Sequence, residues 1–249
     1  MADAGIRPSY DQGEHAMLES RAPQARAFAK QILDTVRPFV TPRTVLDVGC
    51  GYGHTALELA RHCEEVVGIE PYEELARHGM ELAKTVSNLE IRHQGIYELA
   101  DTNRFDLVVL DNVFEHLPDQ PRALDKLSAA LRPGGALYLL MPNKLWPIEV
   151  HYRLPFLSYL PLPLANRYLR LTKRGTDYTD ASYAPTYFGL QRLLDAHPEL
   201  DYHFVLPADV SLAAGGGALH YKLGVAAIRR LPWLWAISKA FLVVATKHG

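Results

Sequence analysis

The stretch Val45-Leu46-Asp47-Val48-Gly49-Cys50-Gly51-Tyr52-Gly53 is an apolar run that breaks into alternate glycines and then opens a helical pattern. Glycine lets the backbone pass close to a ligand at the carboxyl end of a strand, where open α/β sheets bind small molecules. The motif alone fits either a dinucleotide or an adenosyl sulfonium. Two features tilt it toward the second. The spacing is G-x-G-x-G, where dinucleotide loops use G-x-G-x-x-G, and Asp47 stands just before the loop. A carboxylate gains nothing beside a pyrophosphate but attracts a cationic aminoacyl sulfonium. Glu70 ends the next apolar run, a place from which an acid accepts hydrogen bonds from both ribose hydroxyls. Pro71 and Tyr72 follow it and offer packing surface to an adenine.

These residues need a sheet to hold them. Apolar runs at TVLDV (44–48), EVVGI (65–69), LEIRH (89–93), FDLVVL (105–110) and ALYLLM (136–141) alternate with helically spaced segments. That order predicts a doubly wound, mostly parallel, Rossmann-like sheet of seven strands. Ala56, Leu59, Ala60 and Cys63 fall at i, i+3, i+4 and i+7 and give one helix face to the sheet. A helix is expected over 22–36, and LRPGG (131–135) ends a helix beginning near Pro121 and turns into the fifth strand. Late strand candidates DYHFVL (201–206) and FLVVAT (241–246), with Gly215-Gly216-Gly217 between them, suggest an antiparallel pair closing the sheet at its C-terminal strand. One domain over 1–249 is expected: a cofactor-binding core at 22–143, a lid insertion at 144–188, and C-terminal helices and closing strands at 189–249. The insertion holds nine aromatics in 45 residues with prolines at 147, 155, 161, 163 and 185. Proline at that density predicts a compact, irregular cover without a long helix.

The set VLDVGCGYG, VVGIEP, FDLVVLDNVFEHL and LRPGGALYLLMPN, in this order, resembles the class I S-adenosylmethionine (SAM)-dependent methyltransferases over residues 22–143. The resemblance implies SAM as cofactor and S-adenosyl-L-homocysteine as product. It implies that Asp47, Gly49, Gly51 and Tyr52 line the methionine side, that Glu70, Pro71 and Tyr72 hold the ribose and flank the adenine, and that Gly95 and Ile96 do so after the third strand. The aspartate often found there is absent, which leaves adenine recognition to backbone atoms. Asp111, Asn112 and Val113 match the loop beneath the methyl-donor pocket. Glu115-His116 resembles a pair frequent in the family, with His116 near the transferred methyl group. Some relatives bind a divalent metal through Glu-x-x-Glu-His; here Asn112 takes the first position, so no metal is expected.

Methyl transfer from a sulfonium is an in-line displacement, and an alcohol or phenol acceptor also needs a base. In LWPIEVHYRLPF (145–156), Glu149, His151 and Tyr152 follow the fifth strand closely enough to reach the pocket, and His151 is the candidate base. Trp146, Tyr152, Tyr178, Tyr183 and Tyr187 are candidate substrate contacts, with packing of the lid as the competing role for the tyrosines.

A formal net charge of −2 supplies no basic field for nucleic acid. Signal-type and membrane-spanning runs are missing, so a cytoplasmic location is expected. Surface contact with a membrane by LPFLSYLPLPL (154–164) and RLPWLWAISKAFLVV (230–244) ranks below internal packing, and the sequence assigns no oligomeric state. Cys50 and Cys63 read as packing residues. The expected function is methyl transfer to a small-molecule or lipid/glycan-type acceptor, with oxygen favoured. N- or C-methylation of a natural product is the alternative; an NAD-dependent oxidoreductase and a non-catalytic SAM-binding protein are the alternatives of other classes.

Overall fold

The computed structural model describes residues 24–209 and 219–248. The start of the expected first helix at 22–23 and the Gly215-Gly216-Gly217 segment lie outside the described residues.

Helix α1 (Ala25–Val36) precedes β1 (Thr44–Val48), α2 (His54–Ala60), β2 (Glu65–Glu70), α3 (Glu73–Ala83), β3 (Leu89–His93) and β4 (Phe105–Asp111). After these come α4 (Gln120–Ala130), β5 (Leu131–Pro142), α5 (Leu162–Thr172), α6 (Tyr187–Asp195), β6 (Leu200–Phe204), α7 (Leu219–Arg230) and β7 (Ala240–Lys247). The seven strands run in the order β3-β2-β1-β4-β5-β7-β6. Strands β1 to β5 are parallel, and β7 is antiparallel to both β5 and β6. The strand order reverses at β1/β4, which puts a crevice at their carboxyl ends, where ligands of such sheets bind.

Burial on both faces explains the apolar runs. Val45, Leu107, Val109 and Tyr138 face one core with Ile32, Ala56 and Leu59, while Leu46, Val108, Leu110 and Leu139 face the other with Leu124, Leu127 and Phe241. Period-2 alternation within each strand thus serves two layers of helices, and both sets are apolar because neither face meets water.

Two elements depart from the sequence expectation. Strand β5 begins at Leu131, five residues before the apolar run, and its register against β4 shifts between Phe105 and Leu107. Gly134 has φ +77°, and a Cβ on Gly135 would lie 2.9–3.1 Å from three backbone oxygens, so LRPGG is a bulged strand start. Within the insertion, α5 runs eleven residues. Pro161 is its N-cap and Pro163 lies in its first turn, where a missing N–H breaks no helical bond. Prolines therefore start this helix. The insertion has its own small core of Tyr152, Leu154, Leu157, Ala165, Leu169 and Tyr178.

Candidate functional site

Where β1 ends, the loop stays bonded to the end of β2. Gly49 and Cys50 N–H both donate to Ile69 O, at 2.8 and 3.1 Å. Gly49, Gly51 and Gly53 have φ of +67°, +56° and +78°, the left-handed region that costs an L-residue about 1–2 kcal/mol. A Cβ on Gly49 would also sit 2.6 Å from Val113 Cγ2, so the loop after β4 closes on the loop after β1 only because position 49 has no side chain. Asp47, Gly49, Gly51, Tyr52, Thr55 and Asp111 line the resulting pocket.

Two acids are buried at its edge. Glu70 accepts from Gly51 N–H at 2.8 Å and from Tyr72 N–H at 3.1 Å, so this carboxylate also fixes the glycine loop. Asp47 is buried as well. Tyr52 packs edge-on to His78 at 5.4 Å. Pro71 O pairs with His93 Nε2, and Tyr72 is exposed. Gly95 caps the short turn Ile96–Glu98, with Ile96 buried. Asn112, at φ +56°, donates to Asp111 Oδ1 at 2.5 Å. Of the expected cofactor positions, Asp47, Gly49, Gly51, Tyr52 and Asp111 thus line one pocket at the reversal of strand order, with Glu70 and Val113 against its glycine loop.

Beside it lies a polar cluster built from two distant segments. The turn Phe114–His116 follows β4, and the segment after β5 brings Glu149 and His151 against it. His151 Nδ1 is 2.7 Å from Glu149 Oε1, and the other Glu149 oxygen accepts from Tyr152 N–H at 2.7 Å. Burial works to raise the Glu149 pKa, but the His151 hydrogen bond and charge, with backbone N–H groups, outweigh it and hold this carboxyl below its ordinary value. The rings of His116 and His151 meet edge-on at 5.2 Å. His116 Nδ1 is 3.2 Å from Asp180 O, which ties the turn to the insertion.

Glu115 sits between them, fully buried. Its Oε1 is 3.9 Å from His151 Nε2 and 4.0 Å from His116 Nε2. Neither of its oxygens has a hydrogen-bond partner among the described residues. Burial pushes this carboxyl up, a rise that the Asp111 charge reinforces and the two histidines oppose. Glu115, His116 and His151 each offer a ligand atom within 4.8 Å of one another, the one group among the described residues that could hold a metal ion. The third donor comes from His151, which lies outside the local spacing of residues 112–116.

The aromatic candidates separate. Tyr152 and Tyr178 are buried in the insertion's own core, edge-on at 6.0 Å, with Tyr152 O–H donating to Asp177 O. Tyr187 packs on Phe204 and Phe241 against the main core. Tyr183 O accepts from Gln120 Nε2, and Trp146 N–H donates to Asn143 O. Tyr152 adjoins the histidine cluster through its backbone N–H, which donates to Glu149. Asp180 was not singled out from sequence, since nothing local links it to a histidine 64 residues away.

Comparison with known proteins bears on this arrangement. A family model described as "Methyltransferase domain" matches residues 18–183, about two thirds of the chain. A ubiquinone biosynthesis O-methyltransferase of Coxiella burnetii is 34% identical over 102 residues, 40% of this chain and 44% of that protein. One from Xanthomonas oryzae pv. oryzae is 33% identical over 140 residues, 54% of each chain. The chain thus spans about half the length of the curated relatives it matches. Among solved structures, the plantazolicin methyltransferase BpumL, in complex with a monoazolic desmethylPZN analog and SAH, is similar with a TM-score of 0.62 and 15% identity, over 96% of this chain and 90% of that one. N-methyltransferase NodS from Bradyrhizobium japonicum WM9 has a TM-score of 0.52 and 15% identity, over 91% and 98%. At those identities the likeness is one of fold. The family match takes in both the glycine loop and the histidine cluster, and this chain belongs to the class I SAM-dependent methyltransferases.

Proposed function

We propose that the chain transfers a methyl group from SAM to a heteroatom, oxygen or nitrogen, of a small-molecule acceptor, with His151 taking the acceptor's proton. SAM supplies an electrophilic methyl group on a sulfonium. Asp47 would face its aminoacyl cation. Glu70 would take the ribose hydroxyls, since a carboxylate oxygen that accepts a backbone hydrogen bond can accept a further one.

The observation that carries the reading is the His151–Glu149 contact of 2.7 Å. A buried carboxylate accepting from Nδ1–H fixes the tautomer in which Nε2 is the basic nitrogen, and it stabilises the imidazolium formed when Nε2 takes a proton. That Nε2 points toward Glu115 and His116, next to the loop beneath the proposed methyl donor. The insertion 144–188 would cover the acceptor and exclude water.

Both acceptor atoms have support. The curated relatives are named O-methyltransferases, whereas NodS is named an N-methyltransferase; a hydroxyl and an ammonium alike must lose a proton. Methyl-labelled SAM incubated with an extract of the source cells, followed by mass spectrometry of the labelled product, tests the reading. An O-methyl or N-methyl metabolite supports it; a C-methyl product, or SAM binding with no labelled product in any extract fraction, contradicts it.

Glu115 favours a second reading. A buried carboxylate without a partner, with two histidine nitrogens about it, suits a divalent cation that would orient acceptor oxygens. Chelation separates the two. Turnover unaffected by chelator supports His151 as base; turnover lost and restored by a divalent ion supports the metal.

A further inference from the structure

The C-terminal region has a charge pattern that the methyl-transfer site does not use. Five of the chain's 26 Lys and Arg, and none of its 28 Asp and Glu, lie after residue 209. That stretch therefore carries +5 against −7 for the rest of the chain. Helix α7 turns one side to the protein, with Ile228 packed on the core. The opposite side holds Lys222, Arg229 and Arg230 flanking a shallow cleft floored by Val225 and Ala226. Leu219 and Leu223, four residues apart on that side, are exposed. The following turn, Pro232–Ile237, repeats the division: Trp235 is buried against Phe204, while Trp233 and Ile237, with Leu231 just before the turn, are exposed, Trp233 at 64%.

This surface is tied to the rim of the proposed active site. Asn143, just after β5, donates from Nδ2 to Ala236 O at 3.0 Å and to Ser238 O at 2.8 Å. Lys239 lies near enough to Arg153 of the insertion for their charges to repel. Beyond Arg153, Phe156 and Tyr159 form an exposed edge-on pair at 5.6 Å.

We infer that α7 and the Pro232–Ile237 turn form a peripheral docking surface for an anionic lipid bilayer. The occupant is chosen by the pattern. Lys and Arg with long stems bring their charges to headgroup phosphates while leucines and a tryptophan enter the interface, and helices of this composition lie in the plane of the membrane. Lys222, Arg229 and Arg230, the three cations of that stretch that lie on α7, suit a negatively charged surface, and each Lys or Arg near an anionic bilayer contributes about a fivefold gain in binding. Among the described residues no helix is long and apolar enough to cross a membrane, so the contact is of the surface kind. It would set the mouth of the pocket against the bilayer.

The test is sedimentation of the full chain with vesicles of phosphatidylcholine alone or mixed with phosphatidylglycerol. The protein is expected to sediment with the anionic vesicles only, and less so as salt rises. Arg229→Glu with Arg230→Glu should cut that binding by more than tenfold, and Trp233→Ala should weaken it severalfold. SAM affinity and circular dichroism should be unchanged in both variants, which separates this result from a failure to fold and from the methyl-transfer reading. Equal binding to neutral and anionic vesicles, no binding to either, or full binding by the Arg229/Arg230 variant overturns the inference.

Discussion

Replacing Glu115 by methionine should stabilise the protein. The side chain is fully buried, and its two oxygens lack partners among the described residues. A buried polar group left unpaired costs about 1–3 kcal/mol. Methionine has a similar length and no group to satisfy, so Glu115→Met should recover most of that cost at neutral pH. For a domain of this size each kcal/mol moves Tm by about 2–4 °C, which predicts a rise of roughly 2–10 °C. The pH dependence fixes the cause. Burial raises the folded-state pKa of Glu115, so the folded protein holds this proton at pH values where the unfolded chain has released it. Wild-type stability must then fall, relative to the variant, as pH rises from the unfolded value of about 4.3 through the raised folded value, and level off above it. Calorimetric melts of both proteins in chelator, from about pH 4 to pH 8, measure this. A variant that melts at or below wild type at neutral pH, or a difference that does not grow with pH, would refute the reasoning. Under the metal reading, a divalent ion should stabilise the wild type and leave Glu115→Met unmoved.

Gly49→Ala combines a left-handed φ with a contact on Val113; it should lose at least about 1–2 kcal/mol of stability and most SAM affinity by calorimetry, and adding Val113→Ala should restore part of the loss. Glu70→Ala should weaken SAM binding and loosen the loop that Gly51 N–H anchors; unchanged affinity in a folded variant would remove Glu70 from the cofactor site. Burial pushes the Cys63 thiol up to about 11, with Asp106 adding to it, and burial raises the Cys50 thiol as well. At pH 8 about one Cys63 in a thousand is then thiolate, so a thiol reagent should label the native protein slowly and both cysteines promptly after unfolding.

The strands and the glycine loop were legible because their signals are local. TVLDV and LEIRH match β1 and β3 end to end, and alternate glycines at a strand end have few other uses. The sequence singles out Glu70 as a candidate ribose ligand but not as an anchor for Gly51, since a hydrogen bond across 19 residues leaves no trace in spacing. Strand β5 was read short because Arg132, Pro133 and Gly134 look like a turn, and only the bulge against Phe105 reveals them as strand. In the insertion, the density of prolines argues against a long helix, yet their position at the start of α5 is the one a helix tolerates. His116 and His151 were each visible. Their meeting over a buried Glu115 was not, because it depends on where β5 delivers the chain after Pro142.

The most direct measurement is the initial rate of label transfer from methyl-labelled SAM into the small-molecule extract, for wild type and His151→Ala at equal SAM saturation. The account predicts unchanged SAM affinity and a rate about 10²–10⁴-fold lower, with Glu149→Gln falling between the two. A His151→Ala variant that transfers label at the wild-type rate would contradict it.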